Sequence, residues 1–185
     1  MSDVISHLEQ HLGPIQEGWK PSAGDSRIHA VHFADRPNPG VDTFTTLGLS
    51  RTPLPMSNGR AVRQEFLISV YPRYPQRDIA SFLTTFAEYV LSMNRALLRG
   101  DVIGPFKPLI PGVQAAAVYS SMPVFFEREF ATYSGSTPPT VIVWLVPLVG
   151  PEPEFIRTAG WERFEEELER SENVDFWSLD RAPVV

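Results

Sequence analysis

Apolar residues recur along the chain with two different periods, and the switches between them set the expected order of elements. Over residues 2–13, Val4, Ile5, Leu8 and Leu12 stand at helical spacing behind Ser2 or Asp3 as cap, and Gly13-Pro14 closes the run. From Arg27 the period drops to two. Ile28, Ala30 and His32 alternate with His29, Val31 and Phe33, which predicts a strand. Residues 35–40, Asp-Arg-Pro-Asn-Pro-Gly, read as a turn, and residues 44–50 resume extended structure, so a hairpin is expected. After a loop at 53–59, residues 62–71 form a further strand that Pro72 and Pro75 stop.

The clearest helix is predicted from Asp78, as N-cap, to Arg99, with Gly100 just past its end. Ile79, Leu83, Phe86, Val90, Met93 and Leu97 follow one another at intervals of three or four, so one face is continuously apolar. Residues 104–112 are a proline-rich loop, and 115–119 and 124–126 read as short strands around Pro123. Residues 141–149 are apolar on both faces, the pattern of a central buried strand, with Pro147 near its end. A last helix is expected over 153–170. This order predicts an α+β fold: a single domain with a mostly antiparallel or mixed sheet, packed by an amphipathic central helix plus N- and C-terminal helices. The domain is expected to occupy 1–185, its core about 27–181, with 1–26 as N-terminal helix and connecting loop.

Composition narrows the chemistry. Eighteen prolines and 12 glycines in 185 residues exclude an all-helical bundle. With no cysteine there are no disulfides, thiolate nucleophiles or Cys-ligated metals. No window reaches the roughly 18 consecutive apolar residues of a membrane span, and Met1-Ser2-Asp3 lacks a secretory order, so a cytoplasmic location away from membranes is expected. The formal charge of −6 is unevenly placed: residues 1–150 carry 12 acidic and 12 basic side chains, residues 151–185 carry 10 and 4. The scattered arginines, with Lys20 and Lys107 the two lysines, provide no basic face for direct nucleic-acid binding.

Candidate chemistry is sparse. His7 and His11 have the four-residue spacing of helix-borne metal ligands, but Leu8 stands where a zincin motif needs Glu and no third ligand is evident; amphipathic-rim histidines are the expectation, with no cofactor or metal. His29, His32 and Asp35 are close in sequence and offer an alternative reading as a small-ligand site or hydrolytic centre. Strand geometry turns His29 and His32 to opposite faces, which argues against it. The last helix carries the one constellation that looks arranged. At 100° per residue Trp161, Phe164 and Leu168 fall within roughly 60° of arc, and Glu162, Glu165, Glu166, Glu169 and Glu172 within about 120° beside them. Glu166 with Arg170, and Arg163 with Glu167, are spaced for helix-surface pairing, yet six glutamates meet only two arginines between 160 and 172. Those five glutamates are the candidate partner-binding residues, and solvated surface is the competing reading. Trp144 is expected in the core and Trp161 as an anchor of the last helix. Phe176 and Trp177 either fold back onto the body or form a binding patch, the first being favoured.

Several stretches together resemble the suppressor of fused domain, in its stand-alone bacterial form. They are residues 43–50 (TFTTLGLS), 63–69 (RQEFLIS), 123–126 (PVFF), 145–148 (LVPL) with Glu152 and Glu154, 160–164 (GWERF), and 174–181 ending in Leu179-Asp180-Arg181. The resemblance spans about 29–181. It implies an α+β single domain that binds a protein and does not catalyse, here as an immunity protein that neutralises a polymorphic toxin by holding it. The implied partner is a basic toxin domain. A constitutive subunit of a protein assembly is the remaining alternative.

Overall fold

The computed structural model describes residues 3–21 and 27–185; Ser2 and positions 22–26 of the connecting loop lie outside them. The chain runs through α1 (Val4–Leu12), β1 (Glu17–Trp19), β2 (His29–Phe33), β3 (Asp42–Leu47), β4 (Leu54–Pro55), β5 (Ala61–Val70) and α2 (Gln76–Met93). It continues with β6 (Val102–Ile103), β7 (Ala117–Ser121), β8 (Thr132–Tyr133), β9 (Thr140–Leu148), α3 (Glu152–Ala159) and α4 (Trp161–Arg170). The strands form one mixed sheet in the order β1-β2-β3-β5-β9-β7-β6, with β4 on β5 and β8 on β9. Every pairing is antiparallel except β5 with β9, at the centre. The α+β class, the single domain and the mixed sheet read from sequence are those observed.

β9 organises the core because both its faces are apolar and both must be covered. Val143 and Leu145 pack with Phe44, Phe66 and Ile68 under the Ile79, Leu83, Phe86 and Val90 stripe of α2. Ile142, Trp144, Val146 and Leu148 face the opposite way, onto a layer that includes Leu8 and Leu12 of α1, Ile156 of α3 and Phe164 of α4. The β5 ladder ends at Trp144, so Pro147 sits where β9 keeps only β7 as neighbour, a position that tolerates a missing N–H.

α1 uses one of its two expected caps: Asp3 Oδ1 accepts from the Ser6 N–H at 2.8 Å. Several other boundaries differ from the sequence expectation. α2 begins after Pro75, so Asp78 lies in its first turn, not at its cap. It also ends at Met93, well before Arg99, with Asn94 left-handed. Leu97 is in helical phase, but the buried Gln64 amide claims its backbone: Gln64 Nε2 donates to Leu97 O at 2.7 Å and Gln64 Oε1 accepts from Leu97 N at 3.0 Å. Residues 124–126 are not a strand; Val124 N–H bonds back to Met122 O in a turn. The expected 153–170 helix is two helices, broken at Gly160 in a conformation of φ 92°. The short strands β1, β4, β6 and β8, of two or three residues each, left no periodic signal.

Two buried carboxylates repair the edges of this scaffold. β3 peels away from β5 after Thr45, and there the Thr46 hydroxyl accepts from Phe66 N while donating to Glu65 Oε2 at 2.5 Å. Glu65 Oε1 takes the N–H groups of Gly48 and Ser50 at 3.0 and 3.1 Å. Burial pushes the Glu65 carboxyl above its ordinary range, against the pull of those hydrogen bonds. At the other end of the sheet, Arg181 Nη1 and Nη2 reach Glu152 Oε1 and Oε2 at 2.6 and 2.8 Å, with both residues buried. Arg181 also donates to Pro147 O, and Glu152 accepts from Val149 N and Val184 N. This fork clamps the C-terminal segment, which is sewn to the body by Tyr71 N to Trp177 O and Ala115 N to Leu179 O.

Arg181→Ala leaves Glu152 buried and uncompensated and should cost about 3–5 kcal/mol in urea unfolding. Glu65→Ala should cost on the order of 3 kcal/mol by stranding the Gly48, Ser50 and Thr46 donors. Because the folded Glu65 carboxyl holds its proton to higher pH than the unfolded one, its contribution is full on the acid side and declines as pH rises through the folded value. Glu65→Gln should remove that decline, as measured by unfolding between acid and neutral pH; an unchanged pH profile would exclude Glu65 as its source.

Candidate functional site

α4 is where charge, aromatic surface and a groove meet. Its seam is built as the spacing predicts: Phe164 is buried against the Tyr119 ring at 5.6 Å, and Trp161 and Leu168 are half-buried on the same layer. Trp161 lies directly on Gly100. A Cβ on that glycine, which has φ +96°, would fall 2.6 Å from the indole, so the position requires glycine for both backbone and space. Beside it the Arg99 guanidinium sits 5.1 Å above the Trp161 ring.

The five candidate glutamates, with Glu167 beside them, divide into distinct roles. Glu165 is turned inward: Oε1 accepts from Tyr119 Oη at 2.6 Å and from Arg99 Nε at 3.0 Å, and Oε2 accepts from Arg99 Nη2. Partial burial alone would raise this carboxyl; the Arg99 and Tyr119 hydrogen bonds outweigh it and hold it below its ordinary range. Burial and the adjacent Glu165 carboxylate push the Tyr119 phenol up, so it stays a donor. Glu166 and Glu167 are bridged by Arg163 and Arg170, the surface pairing expected from their spacing. Glu162, Glu169 and Glu172 are exposed and have no ion-pair partner among the described residues.

Against this helix lies a groove of about 310 Å³ whose lining includes Val124, Phe125, Trp144, Leu168 and Phe176, with Glu165, Glu169 and Arg99 at its rim. Phe176 and Trp177 do fold back, and in doing so they build a surface: Phe125 is 5.4 Å from Phe176 and 4.8 Å from Trp177, and Trp144 is 5.5 Å from Phe176. Met122, Val124 and Phe125 stay 53%, 64% and 43% exposed, a contiguous apolar stretch next to the acidic stripe. Sequence reasoning assigned 124–126 to a strand and so missed this patch. Pro123, beside the large apolar residues Met122, Val124 and Phe125, was the available signal. A larger cleft of about 500 Å³ between α2 and residues 106–111 is apolar with one lysine and one aspartate, and so lacks a charge bias.

The histidines do not assemble a reaction centre. His29 and His32 are in successive register against Leu47 and Phe44, three apart and therefore on opposite faces. His32 Nε2 is 3.0 Å from Asp42 Oδ2, not from Asp35, and its ring stacks on Phe44 at 4.9 Å. Asp42 lies two residues from Phe44 on the face His32 occupies, a diagonal neighbour that hairpin register alone would have located. Asp35 instead accepts from Gly40 N at 2.8 Å and closes the turn. His7 and His11 share one face, 5.0 Å apart, but dock α1: His7 Nε2 contacts Phe130 O and His11 Nδ1 contacts Glu127. Burial lowers the His7 imidazole below its ordinary value, and His11 adds to the lowering. Among the described residues no group of three His, Asp or Glu could hold a metal, and no helix is long and apolar enough to cross a membrane.

A mixed sheet with β5 and β9 parallel at its centre, one helix on one face and three on the other, defines the architectural class. The chain belongs to the suppressor of fused protein (SUFU) family, whose model matches residues 24–182. Among solved structures it is similar to a SUFU homologue from Neisseria gonorrhoeae, with TM-score 0.79 and 16% identity over 98% of this chain and 94% of that one. A chain of the Sufu–Fu complex matches with TM-score 0.74 and 15% identity, over 98% and 90% of the two chains. Drosophila Suppressor of Fused matches equally well in TM-score and identity, over 98% of this chain and 50% of its own. No curated protein matches the chain.

Gly100→Ala forces both a strained backbone and a clash with Trp161, and should destabilise the fold by about 1–3 kcal/mol. The expected readout is a shifted tryptophan emission with the overall circular dichroism retained; native emission and stability would contradict the contact.

Proposed function

We propose that this chain is a protein-binding domain that neutralises a cognate toxin by holding it, and that the face of α4 receives a basic partner. The observation that carries the reading is a groove in which the uncompensated carboxylate of Glu169 meets the exposed apolar residues Val124 and Phe125, with Glu162 and Glu172 exposed on the same acidic arc and Met122 exposed beside Val124 along the chain. Interfaces combine an apolar anchor region with a charged rim, and this surface has both. Glu165 and Glu166 belong to the same helix arc, the first at the groove and the second paired on the helix surface with Arg163 and Arg170. Membership of the SUFU family supports protein binding, and the Sufu–Fu complex is an instance in a structurally similar chain. Charge complementarity would speed association and exclude wrong partners more than it would set final affinity.

The natural partner to test is the product of the neighbouring gene, co-expressed and captured on this chain. Glu162→Lys, Glu169→Lys and Glu172→Lys combined touch no internal contact. They should leave unfolding unchanged, slow association at least tenfold at low salt and flatten its salt dependence. Capture with an unaltered rate and salt response would remove α4 from the interface.

A further inference from the structure

The Arg99 side chain occupies a receptor site for a guanidinium. A carboxylate that accepts through both oxygens, placed beside an aromatic face, is the arrangement by which proteins select arginine over lysine. Here Glu165 supplies the fork and Trp161 the face. The site is preorganised from below, because Tyr119 Oη holds Glu165 Oε1 at 2.6 Å independently of Arg99. Its occupant is less firmly held than its receptor: the Arg99 side chain is 49% exposed, whereas that of Glu165 is 21% exposed. Exchanging one arginine for another conserves the fork and the ring contact, so the swap itself changes little, and the half-exposed Arg99 leaves the site open to an incoming guanidinium. The exchange would happen at the rim of the aromatic groove, next to the unpaired Glu169.

We propose that Arg99 is an intramolecular placeholder: a partner segment presents an arginine that displaces it from Glu165 and Trp161, while an adjacent large apolar side chain of that segment enters the groove beside Phe125. This rests on the acidic-face reading above and specifies its ligand as an arginine next to an apolar anchor. Glu169 neutralises the incoming cation during exchange, and the displaced Arg99 swings to solvent on the 94–101 loop. Removing Arg99 therefore strengthens binding, and does so selectively. A mere gain in negative potential would favour lysine and arginine alike, whereas a vacated fork favours arginine.

The probes are two eight-residue peptides, one alternating arginine with leucine and one alternating lysine with leucine, titrated by fluorescence anisotropy. Arg99→Gln should tighten the arginine peptide about fivefold or more and leave the lysine peptide within about twofold, converting a pair worth up to ~1 kcal/mol into affinity. Adding Glu165→Gln to that variant should abolish the gain, and Phe125→Asp should weaken the arginine peptide in either background. Arg99→Lys, which keeps the charge and the fold but not the fork, should reproduce a smaller selective gain. Equal tightening of both peptides, no change, weaker binding, or no binding of the arginine peptide by Arg99→Gln overturns the placeholder. Failure here with partner capture still sensitive to Glu162, Glu169 and Glu172 overturns the placeholder alone; insensitive capture overturns the acidic face itself.

Discussion

The architecture follows from the double-sided burial of β9. A strand with apolar side chains on both faces at the centre of a sheet cannot leave either face to water, so the chain must provide cover twice. α2 supplies one cover with a single long amphipathic stripe. The other is assembled from three shorter helices, the 122–130 segment and the C-terminal segment. A composite cover has seams, and the groove beside α4 is one of them: it opens where Phe125, Leu168 and Phe176 meet over Trp144 without closing completely. The groove is thus a by-product of how the core had to be sealed.

The composite side holds together through polar clamps as much as through apolar contact. Glu152 and Arg181 fix where the last residues lie, and those residues place Phe176 and Trp177 beside Phe125. Glu165 ties α4 to β7 through Tyr119, and Arg99 closes over the same carboxylate from the loop after α2. These clamps are geometrically specific in a way that apolar packing is not, since each carboxylate accepts two or more directed donors. They give the groove a defined shape.

Legibility in the sequence depended on whether a signal was local. The β2–β3 hairpin, β5, α1 and β9 were readable because extended or helical patterning, or in β9 an apolar run on both faces, sustained over five or more residues reflects burial directly. α2 was read too long because Leu97 keeps its phase, and only the distant Gln64 amide explains why the backbone leaves the helix earlier. The break at Gly160 was present as a glycine, but an acidic and apolar pattern running through it concealed the turn. The acidic stripe was visible in outline. Its partition into one inward glutamate, one paired and three free required knowing that Tyr119 and Arg99, from other elements, converge on Glu165. The His32–Asp42 contact was hidden in the same way, since the partner is set by strand register and not by nearness along the chain.

α4 places its structural and its outward-facing residues on different arcs of one helix. Trp161, Phe164 and Glu165 are bound into the body, whereas Glu162, Glu169 and Glu172 support nothing inside it. Substitutions at the outward positions therefore carry almost no folding penalty, so selection can rewrite them freely while the helix stays docked. The charge of this face can therefore change in single steps, each leaving a folded molecule on which the next change can act.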